Sequence, residues 1–122
     1  MEEPKVQNDI NLLIPEFKVI IEKLIIDLNY HNIPMRLFET LRTIERQKFV
    51  FDKGYSQTMK SKHIEGIACD FVVFKDNKWS WDYKTYKHYY EMFGALAVYK
   101  YGLVWGGNAW KSFTDYPHIQ YK

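Results

Sequence analysis

The sequence has one cysteine, Cys69, so it can form no internal disulfide and no cysteine-rich zinc finger. The fold must hold by packing. It also lacks an apolar run long enough to cross a bilayer, because the richest stretch, Leu12 to Leu28, is broken by Pro15, Glu16, Lys18, Glu22, Lys23 and Asp27. The charged opening Met1-Glu2-Glu3-Pro4-Lys5 is not followed by the apolar core of a secretory signal, so synthesis and folding in a cytoplasm are expected. Charge of one sign is missing as well. With 17 basic and 15 acidic residues interspersed, the net charge is +2 and no basic stripe tracks a phosphate backbone. A nucleic-acid partner is therefore not expected, while the slight positive excess is compatible with an anionic cell-wall polymer. There is no internal repeat and no low-complexity segment.

What is present is apolar and aromatic: 47% of the 122 residues are hydrophobic and 18% aromatic, enough for one compact core and too few residues for a second. We expect a single domain over 1–122 and a monomer. Leu13, Phe17, Ile20, Ile21, Leu24, Ile25 and Leu28 recur at helical spacing and predict an amphipathic helix over about 13–30. Pro15 fits its first turn, and Asn32 to Pro34 closes it. Met35 to Thr40 reads as a short strand, and Thr43 can cap a second helix that stops at Gly54. Residues 55–62 read as a polar loop. Ile67 to Phe74 is a strand ended by Asp76-Asn77, a third helix is expected over about 82–101 with Gly102 as its stop, and a closing strand falls near His118 to Tyr121. Helices and strands mix without a βαβ alternation, which predicts an α+β fold with a mostly antiparallel sheet flanked by helices.

Two segments concentrate metal-ligating residue types: Ser61 to Asp70, and Asp115-Tyr116-Pro117-His118. Catalytic zinc takes three protein N or O ligands and keeps a fourth position open for water, a set that His63, Asp70 and His118 can supply. Hydrolysis also needs a group that accepts the proton of water and passes it to the leaving amine. Asp115, three residues before His118 and stiffened by Pro117, suits that role, and Glu65 competes for it. His31 and His88 have no such company and read as helix-end or surface residues. Cys69 adjoins Asp70 on a strand and should face the core.

Taken in order, Ser61-x-His63-x-x-Gly66-x-Ala68-x-Asp70, Trp105-Gly106-Gly107-x-x-Trp110 and Asp115-x-x-His118 resemble the LAS zinc peptidases that cut peptidoglycan stem peptides. That group includes VanY-type D-alanyl-D-alanine carboxypeptidases and the L-alanyl-D-glutamate endopeptidases of phage lysis systems. The likeness extends upstream to Leu41-Arg42-Thr43, Gln47 and Gly54-Tyr55-Ser56-Gln57, and so runs from about Phe38 to the last residue. It departs from the family at Ile119, where an aromatic residue is usual, and at Glu39-Thr40-Leu41, where a glycine often precedes the arginine turn.

The resemblance implies a Hedgehog/DD-peptidase-like fold, zinc on His63, Asp70 and His118, and Asp115 as acid/base. It further implies that Arg42 stabilises an oxyanion or anchors a substrate carboxylate, and that Ser61, Gln47, Trp105 and Trp110 face substrate. The activity implied is an endolysin-like L-alanyl-D-glutamate endopeptidase, made without a signal peptide and acting on the cell wall after release or from a virion. The alternatives are a D-alanyl-D-alanine carboxypeptidase and a non-catalytic wall-binding or virion structural module.

Overall fold

A computed structural model describes residues 3–110 and 114–122. A 3-10 turn at Ile10–Leu12 leads into helix α1, Pro15–Tyr30, with Pro15 in its first turn where a missing N–H costs nothing. The helix ends where Asn32 turns to a left-handed φ of 56° and Ile33 N–H bonds the Leu28 carbonyl. Strand β1 is Met35–Glu39 and helix α2 is Ile44–Asp52. The Thr43 hydroxyl accepts from Arg46 N–H at 3.1 Å, which is the cap its sequence position suggests. Strand β2 is Ala68–Lys75 and β3 is Lys78–Ser80. Asp76 and Asn77 both take positive φ, 53° and 63°, so the expected strand end is in fact a tight hairpin turn. The sequence reading missed β3 because three residues carry too little alternation to register.

Helix α3 runs Lys87–Ala95 and passes into a π-helical turn, Leu96–Lys100, so it starts five residues later than expected. The Asp82 side chain accepts from Thr85 N–H and Thr85 Oγ1–H, and holds the preceding residues in a turn. Strands β4, Val104–Trp105, and β5, His118–Gln120, complete the elements.

All strand pairs are antiparallel. Strand β2 is the spine: β1 covers one edge, while β5 and β3 follow one another along the other, and β4 lies outside β5. Side chains alternate faces along a strand, and β2 is covered on both faces, with Ala68 and Val72 as buried as Cys69 and Phe71. Cys69, Phe71 and Val73 of β2 and Ile119 of β5 are fully buried against Phe17, Ile21, Leu24 and Leu28 of α1 and Tyr90, Phe93 and Ala97 from α3 and the turn after it. Cys69 thus faces the core, as its neighbour position predicts. Tyr90 pins α3 to the hairpin: its hydroxyl accepts from Val73 N–H and donates to the Ser80 carbonyl, and burial pushes its pKa up to about 12. Asp70 and Val72 of β2, and His118 and Gln120 of β5, point the other way and line a cleft.

Candidate metal centre

The register of the sheet assembles the centre. His118 is the direct cross-strand partner of Asp70, so both side chains stand on the cleft face and meet. On the opposite edge Leu37 pairs with Phe71 but Glu39 pairs with Asp70, which makes Phe38 the extra residue of a β-bulge. Without that bulge Glu39 would align with Cys69 and point into the core. With it, Glu39, Asp70 and His118 form one row across three strands.

His63 arrives from the loop before β2. Its N–H bonds Ser61 Oγ, and the loop closes at Gly66, whose φ of 73° suits glycine and where a Cβ would come within 3.2 Å of the Leu12 carbonyl oxygen.

His63 Nε2 and His118 Nδ1 lie 3.2 and 3.4 Å from Asp70 Oδ1, and one ligand atom from each residue falls within 4.8 Å of the others. The far nitrogens fix the tautomers. His63 Nδ1 is 2.8 Å from the Thr40 carbonyl oxygen and His118 Nε2 is 2.8 Å from Gln120 Oε1. Those oxygens only accept, so both outer nitrogens carry the hydrogen and both inner ones turn a lone pair toward Asp70. Three acceptors at this spacing repel one another unless a cation or a proton lies among them. The two distances to Asp70 Oδ1 are close to the edge of a tetrahedron with metal bonds of about 2.0–2.2 Å, which is roughly 3.3–3.6 Å. The donor set therefore fits a divalent metal such as zinc.

The charges agree. Burial opposes ionisation of Asp70, but the two imidazoles outweigh it and hold its pKa well below the usual carboxylate range. For His118 burial again opposes the charge, and Asp70 overcomes it, so its pKa is raised.

Asp115 lies in the turn before β5, where its carbonyl accepts from His118 N–H and its N–H bonds the Gly106 carbonyl. A side chain at Gly106 would strike the Asp115 carbonyl oxygen at 2.3 Å and the Trp110 ring at 2.7 Å, so only glycine lets this turn sit so close. Burial first, and the Asp70 charge second, push Asp115 up to about 6. Glu65 is exposed and pairs with Lys62 at 3.4 Å, outside the cleft lining.

Arg42 is buried beside the row. Its Nη2 lies 2.7 Å from Glu39 Oε1 and 3.5 Å from Asp70 Oδ2, so one cation separates two carboxylates that the register places opposite each other. Its Nη1 donates to Gln47 Oε1 at 2.9 Å, while its buried Nε has no partner among the described residues. An unsatisfied buried donor costs about 1–3 kcal/mol, so the two carboxylates and Gln47, rather than the needs of Arg42 itself, dictate its pose.

Ser61 and Trp110 line the cleft, and the Trp110 ring centroid is 5.3 Å from that of His118. Gln47 and Trp105 do not reach it. Gln47 is fully buried, with Nε2 donating to Ser56 Oγ and the Thr58 carbonyl. Trp105 belongs to the core cluster and donates from Nε1 to the Tyr116 carbonyl. Its position on β4 pairs it with the core residue Ile119 and so turns it away from His118.

Sequence reasoning missed Glu39, Arg46 and Gln120. The available signals were Glu39-x-x-Arg42-x-x-x-Arg46, and a glutamine two residues after a strand histidine.

A cleft of about 910 Å³ opens over this centre, within the size range of small-ligand sites. Three candidate metal ligands with a carboxylate of raised pKa beside them are the parts that a metallopeptidase needs. A family model described as D-alanyl-D-alanine carboxypeptidase, within the M15 peptidases, matches residues 54–121, and the chain belongs to that family. It is 36% identical over 114 residues to the L-alanyl-D-glutamate peptidase of Listeria phage A118, a match covering 93% of this chain and 39% of that protein. The chain thus spans about two fifths of that relative's length. It also superimposes on the crystal structure of the L-Ala D-Glu endopeptidase ChiX of Serratia marcescens, with a TM-score of 0.72 and 28% identity over 99% of this chain and 89% of that one. Among the described residues no helix is long and apolar enough to cross a membrane.

Proposed function

We propose that this protein is a zinc peptidase that cuts the L-alanyl-D-glutamate bond of peptidoglycan stem peptides. The observation that carries the reading is the convergence of two imidazole lone pairs and the Asp70 carboxylate within 4.8 Å of one another, with Asp115 beside them in an open cleft. The printed activities of the phage and Serratia relatives favour this bond over a terminal D-alanine.

His63, Asp70 and His118 would hold the metal. When bound, zinc supplies Lewis acidity, lowering the pKa of water to about 7 and polarising a carbonyl. Asp115 takes the proton of the attacking water as the C–O bond forms, then gives it to the amine as the C–N bond breaks. Its raised pKa suits both halves of that transfer, since a group titrating near neutrality gives up a proton nearly as readily as it accepts one. Arg42 holds Asp70 in place and sets a positive charge on the side where an oxyanion would develop. Ser61 and Trp110 line the cleft and contact the stem peptide. Gln47 acts on substrate only through Arg42. The whole of 1–122 works as one peptidase domain and as a monomer, on the cell wall after release.

The test is digestion of purified peptidoglycan by the zinc-loaded protein, with mass spectrometry of the products. New D-glutamyl amino termini are expected. Free D-alanine instead would establish the carboxypeptidase activity, and no cleavage with zinc bound would refute a peptidase.

A further inference from the structure

The segment Glu3–Asp9, outside the span the family model matches, makes six hydrogen bonds to the β1–α2 turn and to Arg46 of α2. Thr40 N–H donates to the Gln7 carbonyl at 2.7 Å, and Thr40 Oγ1 lies 3.2 Å from the same oxygen and 3.0 Å from that of Asp9. Gln7 Nε2 donates to the Leu41 carbonyl at 3.0 Å. Glu3 Oε1 accepts from Arg46 Nη1 at 2.7 Å, a nitrogen that also reaches the Pro4 carbonyl.

The contacts reach the candidate ligands through intermediaries: one residue on the Thr40 arm, three on the Arg46 arm. The Thr40 carbonyl holds His63 Nδ1–H, and Arg42 N–H returns a bond to the His63 carbonyl at 3.0 Å, so residues 40–42 are sandwiched between the segment and His63. On the other arm, Arg46 Nε holds Glu39 Oε2 at 2.6 Å, and Glu39 Oε1 holds Arg42 against Asp70. Glu39 and Arg46 are nearly fully buried, so this relay is little screened by solvent.

We propose that the segment Glu3–Asp9 is the outer support of the metal centre, and that its docking and metal binding are thermodynamically linked. The inference rests on the metal reading above. Metal occupancy requires His63 and Asp70 in their ligating poses, and those poses are the ones the docked segment favours through Thr40 and Arg46. Linkage is reciprocal: whatever affinity the docked segment adds to metal binding, the metal adds to docking. Groups directly behind metal ligands change affinity by about 10–100-fold, and supports further out should fall at or below the low end of that range.

The test uses full-length protein and zinc alone, titrated against a chromophoric chelator. Thr40→Val removes the hydroxyl clamp but keeps the carbonyl on His63, and Glu3→Gln removes the negative charge that faces Arg46. Each is expected to weaken zinc binding by about threefold to tenfold. In the parent chain, zinc is expected to slow tryptic cleavage after Lys5, which is exposed within the segment, and to slow it less in both variants. Parental zinc affinity in both variants, or cleavage after Lys5 at the same rate with and without zinc, overturns the inference while leaving the peptidase reading intact. A parent chain that binds no zinc overturns both. If Thr40→Val does not fold, Glu3→Gln decides alone, since Glu3 is an exposed side chain.

Discussion

Gln120→Leu isolates what a single outer hydrogen bond contributes to the metal centre. Gln120 Oε1 lies 2.8 Å from His118 Nε2 and fixes that nitrogen as the protonated one, which leaves Nδ1 free to ligate. Leucine keeps the volume and removes the acceptor. The imidazole then samples the other tautomer and a wider range of ring angles, and metal binding must restore the ligating state. Loss of such a partner typically weakens metal affinity by about 10–100-fold, equivalent to about 1.4–2.7 kcal/mol. Competition with a chromophoric chelator at neutral pH reads the change directly. Gln120 is half-exposed on the last strand, so the melting temperature of metal-free protein should move little. Unchanged zinc affinity in folded Gln120→Leu protein would refute the tautomer argument, because it would mean that Nδ1 is presented equally well without the acceptor.

Asp115→Asn should lower kcat by about 10²–10⁴-fold while leaving zinc affinity near the parent value, as read by product formation and chelator competition. The same variant should be more stable than the parent when metal-free at pH 7 and no more stable at pH 4. The folded-state pKa of Asp115, about 6, lies above its ordinary 3.8, so ionisation destabilises the fold as pH rises from about 4 to 6 and fully above it. Thermal melts at the two pH values check this. The activity of the parent should show an acid limb with its midpoint at or below about 6, because Asp115 must be ionised to accept a proton and a bound cation lowers its pKa further. Glu39→Ala should destabilise by about 3–5 kcal/mol in denaturant unfolding, since it leaves Arg42 and Arg46 buried without their shared carboxylate. Gly94→Ala should cost about 1–3 kcal/mol or more, because its Cβ would fall 2.2 Å from the Trp105 ring.

The elements were legible wherever a local rule sufficed. The apolar spacing of α1, the Thr43 cap, the Val and Phe content of Ile67 to Phe74 and the Gly54 stop each depend on residues within a turn or two, and the fold obeys them. The candidate metal set stood out through the ordered motifs of the resemblance, and the fold brings His63, Asp70 and His118 within 4.8 Å of one another. Local rules failed at β3 and at the start of α3, where three residues or one Asp82 turn decide the backbone.

What the sequence alone determined is the inventory: a core-forming helix, strands with one polar face, and the ligand types with an acid near the last histidine. The tertiary structure decided the rest through register, which joins residues far apart in the chain. The Phe38 bulge turns Glu39 toward Arg42, the β2–β5 pairing sets His118 against Asp70, and the β4–β5 pairing sends Trp105 into the core. A one-residue shift in any of these pairings reverses which face a side chain occupies, and no spacing along the chain encodes that choice.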